Sequence, residues 1–209
     1  MTDQIGRIVA DGYDRVADAY AALESPADPW PRMRRVAQFT AGLPDGSRLL
    51  DLGCGNGLPA TRELSERHTV TAVDISPEQA ARARRNAPRA EVLCADVRDL
   101  DLPNAEFDAI VALYLIDNVP AGEYLVLFRR LAAWLLPGGR LLLSAEPAEP
   151  EEQSLHTWLG VPMPINGVPV ETLAASVEAA GLEVTDVELE EQREGGRPIT
   201  FAWLTARKA

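Results

Sequence analysis

Three aspartates and a run of glycines carry the chemistry that this sequence could perform. Asp51 lies near the end of an apolar run and is followed by glycines at alternate positions, Gly53 to Gly57. Asp74 and Asp96 follow two further apolar runs. Carboxylates bind hydroxyl and ammonium groups, and glycines let the main chain approach a ligand with no Cβ in between. Together these residues predict a binding site for a small polar molecule.

The glycine segment predicts a turn between a buried strand and a helix. We expect the helix from about Leu58 to Arg67, with its free N–H groups and positive dipole end facing the site. The spacing departs from the dinucleotide pattern Gly-x-Gly-x-x-Gly, because Leu58 stands at the sixth position and the third glycine, Gly57, comes one residue early. NAD and FAD are therefore disfavoured. The structural alternative is that Gly53–Gly57 serves only close packing of strand against helix.

Each aspartate suits one part of such a ligand. Asp51 would repel a pyrophosphate and suits an ammonium group. Asp74 can accept both hydroxyls of a ribose, and its alternative role as a helix cap is already supplied by Ser76. Asp96 could accept from the amine of an adenine that Val97 covers, or it is an acid in a surface turn. In an open parallel sheet all three strand ends would lie at one edge, where ligands bind.

Helix and strand periods alternate along the chain, which predicts a doubly wound parallel sheet. The segment Glu194–Arg197 joins the last two strands as a hairpin and implies an antiparallel strand at the end of the sheet. We predict strands near 48–52, 69–74, 91–94, 106–112, 139–145, 182–191 and 198–206. We predict helices near 3–22, from Pro29 or Pro31 to 41, and near 58–67, 77–86, 121–134 and 169–180.

The ordered set of motifs resembles the class I S-adenosylmethionine-dependent methyltransferases, closely over about residues 45–145 and loosely elsewhere. The matching segments are Leu50–Gly57, Val73–Asp74, Ala95–Val97, Phe107–Ala112 and Leu135–Leu143. The resemblance implies a Rossmann-like α/β fold, a doubly wound sheet of seven mostly parallel strands with the last strand antiparallel. It also implies S-adenosylmethionine as the methyl donor and S-adenosylhomocysteine as the product.

The resemblance implies a role for each site residue. The glycine turn would line the methionine part of the cofactor, with Asp51 near its ammonium, and Asp74 would bind the ribose. Asp96 and Val97 would border the adenine, and the end of the fourth strand would lie near the sulfonium. The cofactor-binding set so implied is Asp51, Gly53, Cys54, Gly55, Asn56, Gly57, Asp74, Ile75, Asp96, Val97, Ala112, Leu113 and Tyr20.

Parts of the chain look like one bacterial small-molecule methyltransferase-domain subgroup. The segments are Ala112–Pro120, Trp158–Met163 and Ile199–Lys208. That subgroup tends to have His where this chain has Asn118, and an aromatic-Ser-His-Phe-Asp run where it has Ile165–Pro169. The chain therefore retains the subgroup's cofactor-binding motifs but differs from it at positions expected to contact the acceptor. This implies a different acceptor, such as a bulky natural product, or use of the cofactor for something other than methyl transfer.

Two stretches should form the acceptor pocket. Residues 1–44 are interpreted as an N-terminal helical lid on a core of residues 45–209, and residues 146–170 as a substrate flap. Tyr13 and Tyr20 match a lid-helix motif and would contact the methionine end or the substrate; aromatic residues at this helical spacing also simply pack. Five prolines keep the flap from forming one long helix.

Methyl transfer requires few catalytic groups, because positioning and desolvation of the reactants supply most of the rate gain. His156, in the flap, is the candidate general base, with a packing or solvent-facing histidine as the alternative; Tyr13 is the other candidate catalytic residue. His68 is expected to be exposed and far from the site. Asp117 and Asn118 could meet the ligands or cap the helix near residue 121. They follow a different strand from the metal pair of catechol methyltransferases, so no metal is expected.

Composition favours a single catalytic domain. The chain has 209 residues, a length that one domain can reach. Its net charge of −12 disfavours nucleic acid and anionic membranes as partners, because both are negatively charged. Cys54 and Cys94 form no metal or disulfide pattern, and residues 1–15 have no signal-peptide core, so we expect a cytoplasmic monomer or homodimer.

The function predicted is transfer of a methyl group from S-adenosylmethionine to the oxygen, nitrogen or carbon of a small-molecule, natural-product acceptor. The alternatives are a non-methylating enzyme, for example a cyclase that uses the cofactor electrostatically, and a cofactor-binding partner subunit.

Overall fold

The structure, a computed structural model, describes residues 2–23, 30–148 and 155–209. Pro29, the alternative start of the second helix, and Pro150 of the flap lie outside the described residues. The helices are α1 (Thr2–Ala21), α2 (Arg32–Thr40), α3 (Ala60–Arg67), α4 (Pro77–Asn86), α5 (Tyr124–Trp134) and α6 (Val170–Ala179). The strands are β1 (Arg48–Leu52), β2 (Thr69–Asp74), β3 (Glu91–Cys94), β4 (Phe107–Ala112), β5 (Leu135–Ala145), β6 (Leu155–Trp158), β7 (Val161–Pro164), β8 (Leu182–Glu194) and β9 (Arg197–Lys208).

Seven of these strands form one sheet in the order β3-β2-β1-β4-β5-β9-β8. Strands β1 to β5 pair in parallel, and β9 runs antiparallel to both β5 and β8. The chain reverses between β1 and β4, which makes their carboxyl ends a topological switch point where open α/β sheets bind ligands. The predicted doubly wound sheet with an antiparallel last strand is confirmed.

The central strands are buried on both faces, as their near-continuous apolar sequences require. Leu49, Leu50 and Leu52 of β1 are each 0% exposed. Leu50 and Leu52 face a core closed by α5 and α6, and Leu49 faces a second core closed by α2, α3 and α4. This layering fixes β1, and with it the turn that follows, between two packed faces.

Several predicted boundaries are wrong by two to four residues, among them the starts of α3, α5 and β5 and the end of β8. Helix α3 begins at Ala60 and not at Leu58, because a residue that precedes a proline is driven away from helical geometry, and Pro59 follows Leu58. Strand β5 begins at Leu135, within the predicted helix stop, where it already pairs with Phe107. The register then shifts before the strand continues to Ala145.

The flap contains a β-hairpin of β6 and β7. Its two-residue turn, Leu159–Gly160, has φ angles of 48° and 82°, the combination that matches the twist of paired strands. Val161 and Met163 pack with Val9 and Val16 of α1 in a third apolar cluster. The hairpin and α1 therefore cover the same part of the sheet edge. No helix in the described ranges is both long enough and apolar enough to cross a membrane.

Candidate functional site

The turn after β1 contains glycines with two different reasons to be glycine. Gly57 has φ of +80°, and a Cβ there would lie 3.0 Å from Cα of Ala83 in α4. Gly55 has φ of +56°, and a Cβ there would meet nothing within 4 Å. The packing alternative thus describes Gly57, whereas Gly55 leaves its main chain bare toward an open space.

Asp74 holds this turn together at the end of β2. Its Oδ2 accepts the amide of Gly55 at 2.8 Å and its Oδ1 accepts the amide of Ser76 at 2.9 Å. Burial raises the pKa of Asp74 to about 6, although both amides favour the charged form. A carboxylate accepts about four hydrogen bonds, so capacity remains for a ligand. Ser76, as predicted, caps α4 by accepting the amide of Gln79 at 3.0 Å.

Asp51 is 4% exposed and accepts the hydroxyl of Thr61 at 2.6 Å. Burial raises its pKa to about 6, against the effects of Thr61 and Arg32. The surrounding protein therefore stabilises the ionised carboxylate of Asp51 incompletely, and a ligand ammonium beside it would supply the positive charge that it needs. It lines an open groove together with Cys54, Asn56 and neighbouring residues of the turn.

Asp96 is bound by a neighbour on its own chain. The guanidinium of Arg98 donates to both carboxylate oxygens, with Nε at 3.0 Å from each, and the Arg98 amide donates to Oδ1 at 2.9 Å. Gly6 of α1 lies directly on this pair, since a Cβ there would be 2.6 Å from Nη2 of Arg98. The lid helix thus closes over the Asp96 carboxylate.

A partly open cavity, with about 680 Å³ of empty space that includes its mouth, lies between α1 and the carboxyl ends of β1 to β4. It brings together nine of the predicted site residues: Tyr13, Tyr20, Gly53, Gly55, Asp74, Ile75, Asp96, Val97 and Leu113. Ala112, predicted beside Leu113, is instead 0% exposed and packs in the core. This is a consequence of strand alternation, which turns one of two successive side chains away from the cavity.

A second partly open cavity, with about 450 Å³ of empty space that includes its mouth, adjoins the first, and we call it the acceptor cavity. Tyr13, Tyr20, Tyr114 and Asn118 line both cavities. The acceptor cavity is completed by Asp117, Glu146, Trp158, Met163, Ile165, Glu194 and Phe201.

Asn118 connects the lid, the flap and the sheet edge. Its Oδ1 accepts the hydroxyl of Tyr13 at 2.9 Å, and its Nδ2 donates to the carbonyl of Pro164 in β7 at 2.9 Å. Burial raises the pKa of Tyr13 well above its usual range, so the phenol stays protonated and donates. Neither Asp117 nor Asn118 caps the turn at Ala121–Glu123, so that alternative is wrong.

The two histidines are placed differently from expectation. His156, the candidate base, is exposed in β6 and is not among the residues that line either cavity. His68 is only 8% exposed, so its predicted exposure is wrong. It joins α3 directly to β2, with no loop to carry the side chain into solvent, and burial lowers its pKa.

Comparison with known proteins finds methyltransferases among the relatives of this chain. The family described as "Methyltransferase domain" matches residues 49–139. The chain is 35% identical to 27-O-demethylrifamycin SV methyltransferase of Amycolatopsis mediterranei, over 90% of this chain and 78% of that protein. It is 38% identical to phosphatidylethanolamine N-methyltransferase of Cereibacter sphaeroides, over 46% of this chain, and spans about half (48%) of that relative's length.

Solved structures share the fold over the whole chain. The [4+2]-cyclase SpnF has a TM-score of 0.77 at 23% identity, covering 100% of this chain and 96% of that one. The 1,6-didemethyltoxoflavin-N1-methyltransferase of Burkholderia thailandensis, solved with S-adenosylhomocysteine, has a TM-score of 0.73 at 22% identity, covering 100% and 91%. With its sheet order, its glycine turn and its relatives, the chain belongs to the class I S-adenosylmethionine-dependent methyltransferases.

Proposed function

We propose that this enzyme methylates a small organic molecule held in the acceptor cavity. The observation that carries the proposal is the pair of adjoining cavities at the switch point, which share the walls formed by Tyr13, Tyr20, Tyr114 and Asn118. The rifamycin and toxoflavin methyltransferases named above, which act on small molecules, support an acceptor of this class.

The residues present fit the cofactor that the family uses. Gly55 exposes its main chain to open space that a Cβ would otherwise occupy, so a ligand can approach the backbone closely. The buried carboxylate of Asp51 suits an ammonium, and that of Asp74 suits ribose hydroxyls. We assign Asp51, Cys54 and Asn56 to the methionine end, Asp74 and Ile75 to the ribose, and the cavity wall at Asp96 and Val97 to the adenine. S-Adenosylmethionine supplies an electrophilic methyl group when bound.

The protein's own contribution is to position the acceptor and exclude water. The lid helix α1 and the β6–β7 hairpin close over the sheet edge, and Asn118 hydrogen-bonds to both. Positioning and desolvation of this kind supply most of the rate gain in a displacement at an already electrophilic carbon. We therefore assign Tyr13 to positioning, and the exposed position of His156 disfavours it as the base.

The test has two stages. Calorimetry should show that S-adenosylmethionine and S-adenosylhomocysteine both bind with one site per chain. Mass analysis of candidate acceptors should then show a gain of about 14 daltons, with one S-adenosylhomocysteine formed per methyl transferred. A product formed while S-adenosylmethionine survives would indicate the non-methylating alternative, and absence of cofactor binding would contradict the proposal.

Residues 1–44 act in this proposal as the lid and residues 146–170 as the flap on a core of residues 45–209. The net charge of −12 supports small molecules over nucleic acid or anionic membranes as partners. A cytoplasmic monomer or homodimer is consistent with these features.

A further inference from the structure

We infer that the acceptor is a primary or secondary amine, which enters the acceptor cavity as its ammonium ion and is methylated on nitrogen. The inference rests on the proposed function and names the substrate class of that site. It starts from three carboxylates that separate elements bring together. Asp117 follows β4, Glu146 follows β5 and Glu194 ends β8, and all three line the acceptor cavity.

Asp117 has unused capacity to accept hydrogen bonds. It is 8% exposed, and its Oδ1 accepts the amide of Glu146 at 2.9 Å. In the described part of the chain, the other donor to this carboxylate is its own main-chain amide, and no side-chain donor reaches it. A carboxylate has about four acceptor positions. A donor from within the cavity would therefore find a buried acceptor that the protein leaves incompletely satisfied.

The cavity lacks a protein cation to balance these acids. None of the described residues that line it is Lys, Arg or His. The sequence from 141 to 192 contains eleven acidic residues and no Lys or Arg. Burial raises the pKa values of Asp117, Glu146 and Glu194. Repulsion from neighbouring acids raises those of Asp117 and Glu194 further, whereas His156 favours the ionised form of Glu146. A bound ammonium would offset this missing positive charge.

Aromatic rings surround the same space. Tyr13, Tyr20 and Trp158 lie with pairwise ring centroids 5.4–5.7 Å apart, and Tyr114 and Phe201 are 4.9 Å apart on the other wall. Aromatic faces attract ammonium groups, and several rings together form a cage selective for them. A neutral hydroxyl acceptor can donate one hydrogen bond to a carboxylate, but it gains neither charge pairing with the acids nor cation–π attraction from the rings. The two observations, acids without a cation and a ring of aromatic side chains, point to the same ligand charge.

The carboxylates also provide the proton acceptor that an ammonium substrate needs. Transfer of one ammonium proton to a carboxylate, such as Asp117, leaves a neutral amine. The nitrogen lone pair then forms a bond to the methyl carbon while the carbon–sulfur bond breaks, and that bond's electron pair stays on sulfur. The methylated ammonium product loses a further proton to a carboxylate or to solvent.

The experiment compares phenethylamine with 2-phenylethanol, which has the same shape without the charge. Each is titrated by calorimetry into the full chain saturated with S-adenosylhomocysteine. We expect the amine to bind at least tenfold more tightly than the alcohol. Glu194→Gln should reduce that ratio severalfold, whereas Glu191→Gln, which removes an exposed charge on the same strand, should leave it unchanged.

Methyl transfer from S-adenosylmethionine provides the second readout. Phenethylamine should gain about 14 daltons, and 2-phenylethanol should not. Equal affinity for amine and alcohol, or no binding of either while S-adenosylhomocysteine binds, would overturn the amine assignment and leave the proposed function standing. Failure to bind S-adenosylhomocysteine would instead count against the proposed function itself.

Discussion

At the scale of single residues, Asp74 has a structural task and, in the proposed function, a binding task. Its two oxygens hold the amides of Gly55 and Ser76, and it lines the cavity beneath α1. Asp74→Asn retains the volume but removes the charge that ribose hydroxyls would meet. We expect S-adenosylhomocysteine binding to weaken by about 2–4 kcal/mol, since a hydrogen bond to a charged group contributes ~1.5–3 kcal/mol and two such bonds add incompletely.

Calorimetry on the folded variant measures this loss. Asp101→Asn is the matched control, because Asp101 is exposed and lies in no cavity described above. Unchanged affinity of the Asp74 variant, with circular dichroism identical to that of the parent, would show that ribose is bound elsewhere.

The raised pKa of Asp51 predicts how cofactor binding depends on pH. Burial places this pKa at about 6 in the free protein. Ionised Asp51 attracts the ligand ammonium and protonated Asp51 does not, so binding lowers the pKa and affinity must fall as the pH drops below about 6. The expected fall is at most about tenfold per pH unit from this group, since one pKa unit corresponds to ~1.4 kcal/mol.

Titrations with S-adenosylhomocysteine between pH 7.5 and pH 5 test the linkage. Asp51→Asn should bind S-adenosylhomocysteine more weakly at pH 7.5. Its affinity should depend less steeply on pH than that of the parent, because Asp51 no longer titrates. Some pH dependence should remain, because Asp74, with its own pKa of about 6, still titrates. A variant whose slope equals that of the parent would argue that Asp51 does not face the ammonium.

Residues next to the glycine turn could be predicted from sequence, whereas those of the acceptor cavity could be predicted only in part, through Tyr13, Tyr20, Asp117 and Asn118. Asp51 and Asp74 stand at fixed positions relative to strand ends, so the period of the strands locates them. Asn118, Glu146 and Glu194 come from three separate elements, and only the tertiary fold brings them together. For Glu146 the sequence offers one signal, its position directly after the strand β5.

At the scale of elements, the lid helix is seated by two glycines that differ in what they contact. A Cβ at Gly6 would lie 2.6 Å from Nη2 of Arg98 and 2.7 Å from Oδ2 of Asp96, two groups that pair with each other and cannot easily move. A Cβ at Gly12 would meet the terminal Cε of Met163 at 2.6 Å, the flexible end of a side chain. Helix propensity favours alanine at both positions by about 1 kcal/mol.

Gly6→Ala should therefore unseat α1, whereas Gly12→Ala should be tolerated. Hydrogen–deuterium exchange is expected to rise at least tenfold across Thr2–Ala21 in the Gly6 variant, with the amides of β1 and β4 unaffected. Its affinity for S-adenosylhomocysteine should fall as well, since the lid closes the cavity. Equal exchange in the two alanine variants would mean that the Asp96–Arg98 pair yields to the added methyl group.

Element types followed from sequence more reliably than their ends. The alternation of periods located all seven strands of the main sheet, because buried parallel strands read as apolar runs. The hairpin of the flap escaped detection, since Trp158 and Val161 flank the turn in a segment whose prolines disguise strand periodicity. The early start of β5 was missed for a related reason: Gly138, with φ of +77°, resembles a helix stop but lies within the strand.

At the scale of the whole molecule, the structure divides into a rigid sheet and a thin cover. Strands β1, β4 and β5 are enclosed by two large apolar cores, whereas α1 and the hairpin share a small third cluster. Elements with few buried apolar contacts open at lower free energy than the core. Ligand binding should therefore order the cover first and stabilise the whole chain through it.

This coupling predicts the thermal response of the protein to its cofactor product. S-Adenosylhomocysteine at 100 times its Kd should add about 2.7 kcal/mol to the free energy of unfolding. For a chain of this size that corresponds to a rise in Tm of roughly 5–10 °C. Because the effect follows occupancy, Asp74→Asn at the same ligand concentration should show a rise in Tm at most half as large as that of the parent, whereas Asp101→Asn should match the parent. A Tm that stays constant as the ligand is raised from equal to its Kd to 100-fold above it would mean that folded and unfolded chains bind it equally, which a preformed cavity does not allow.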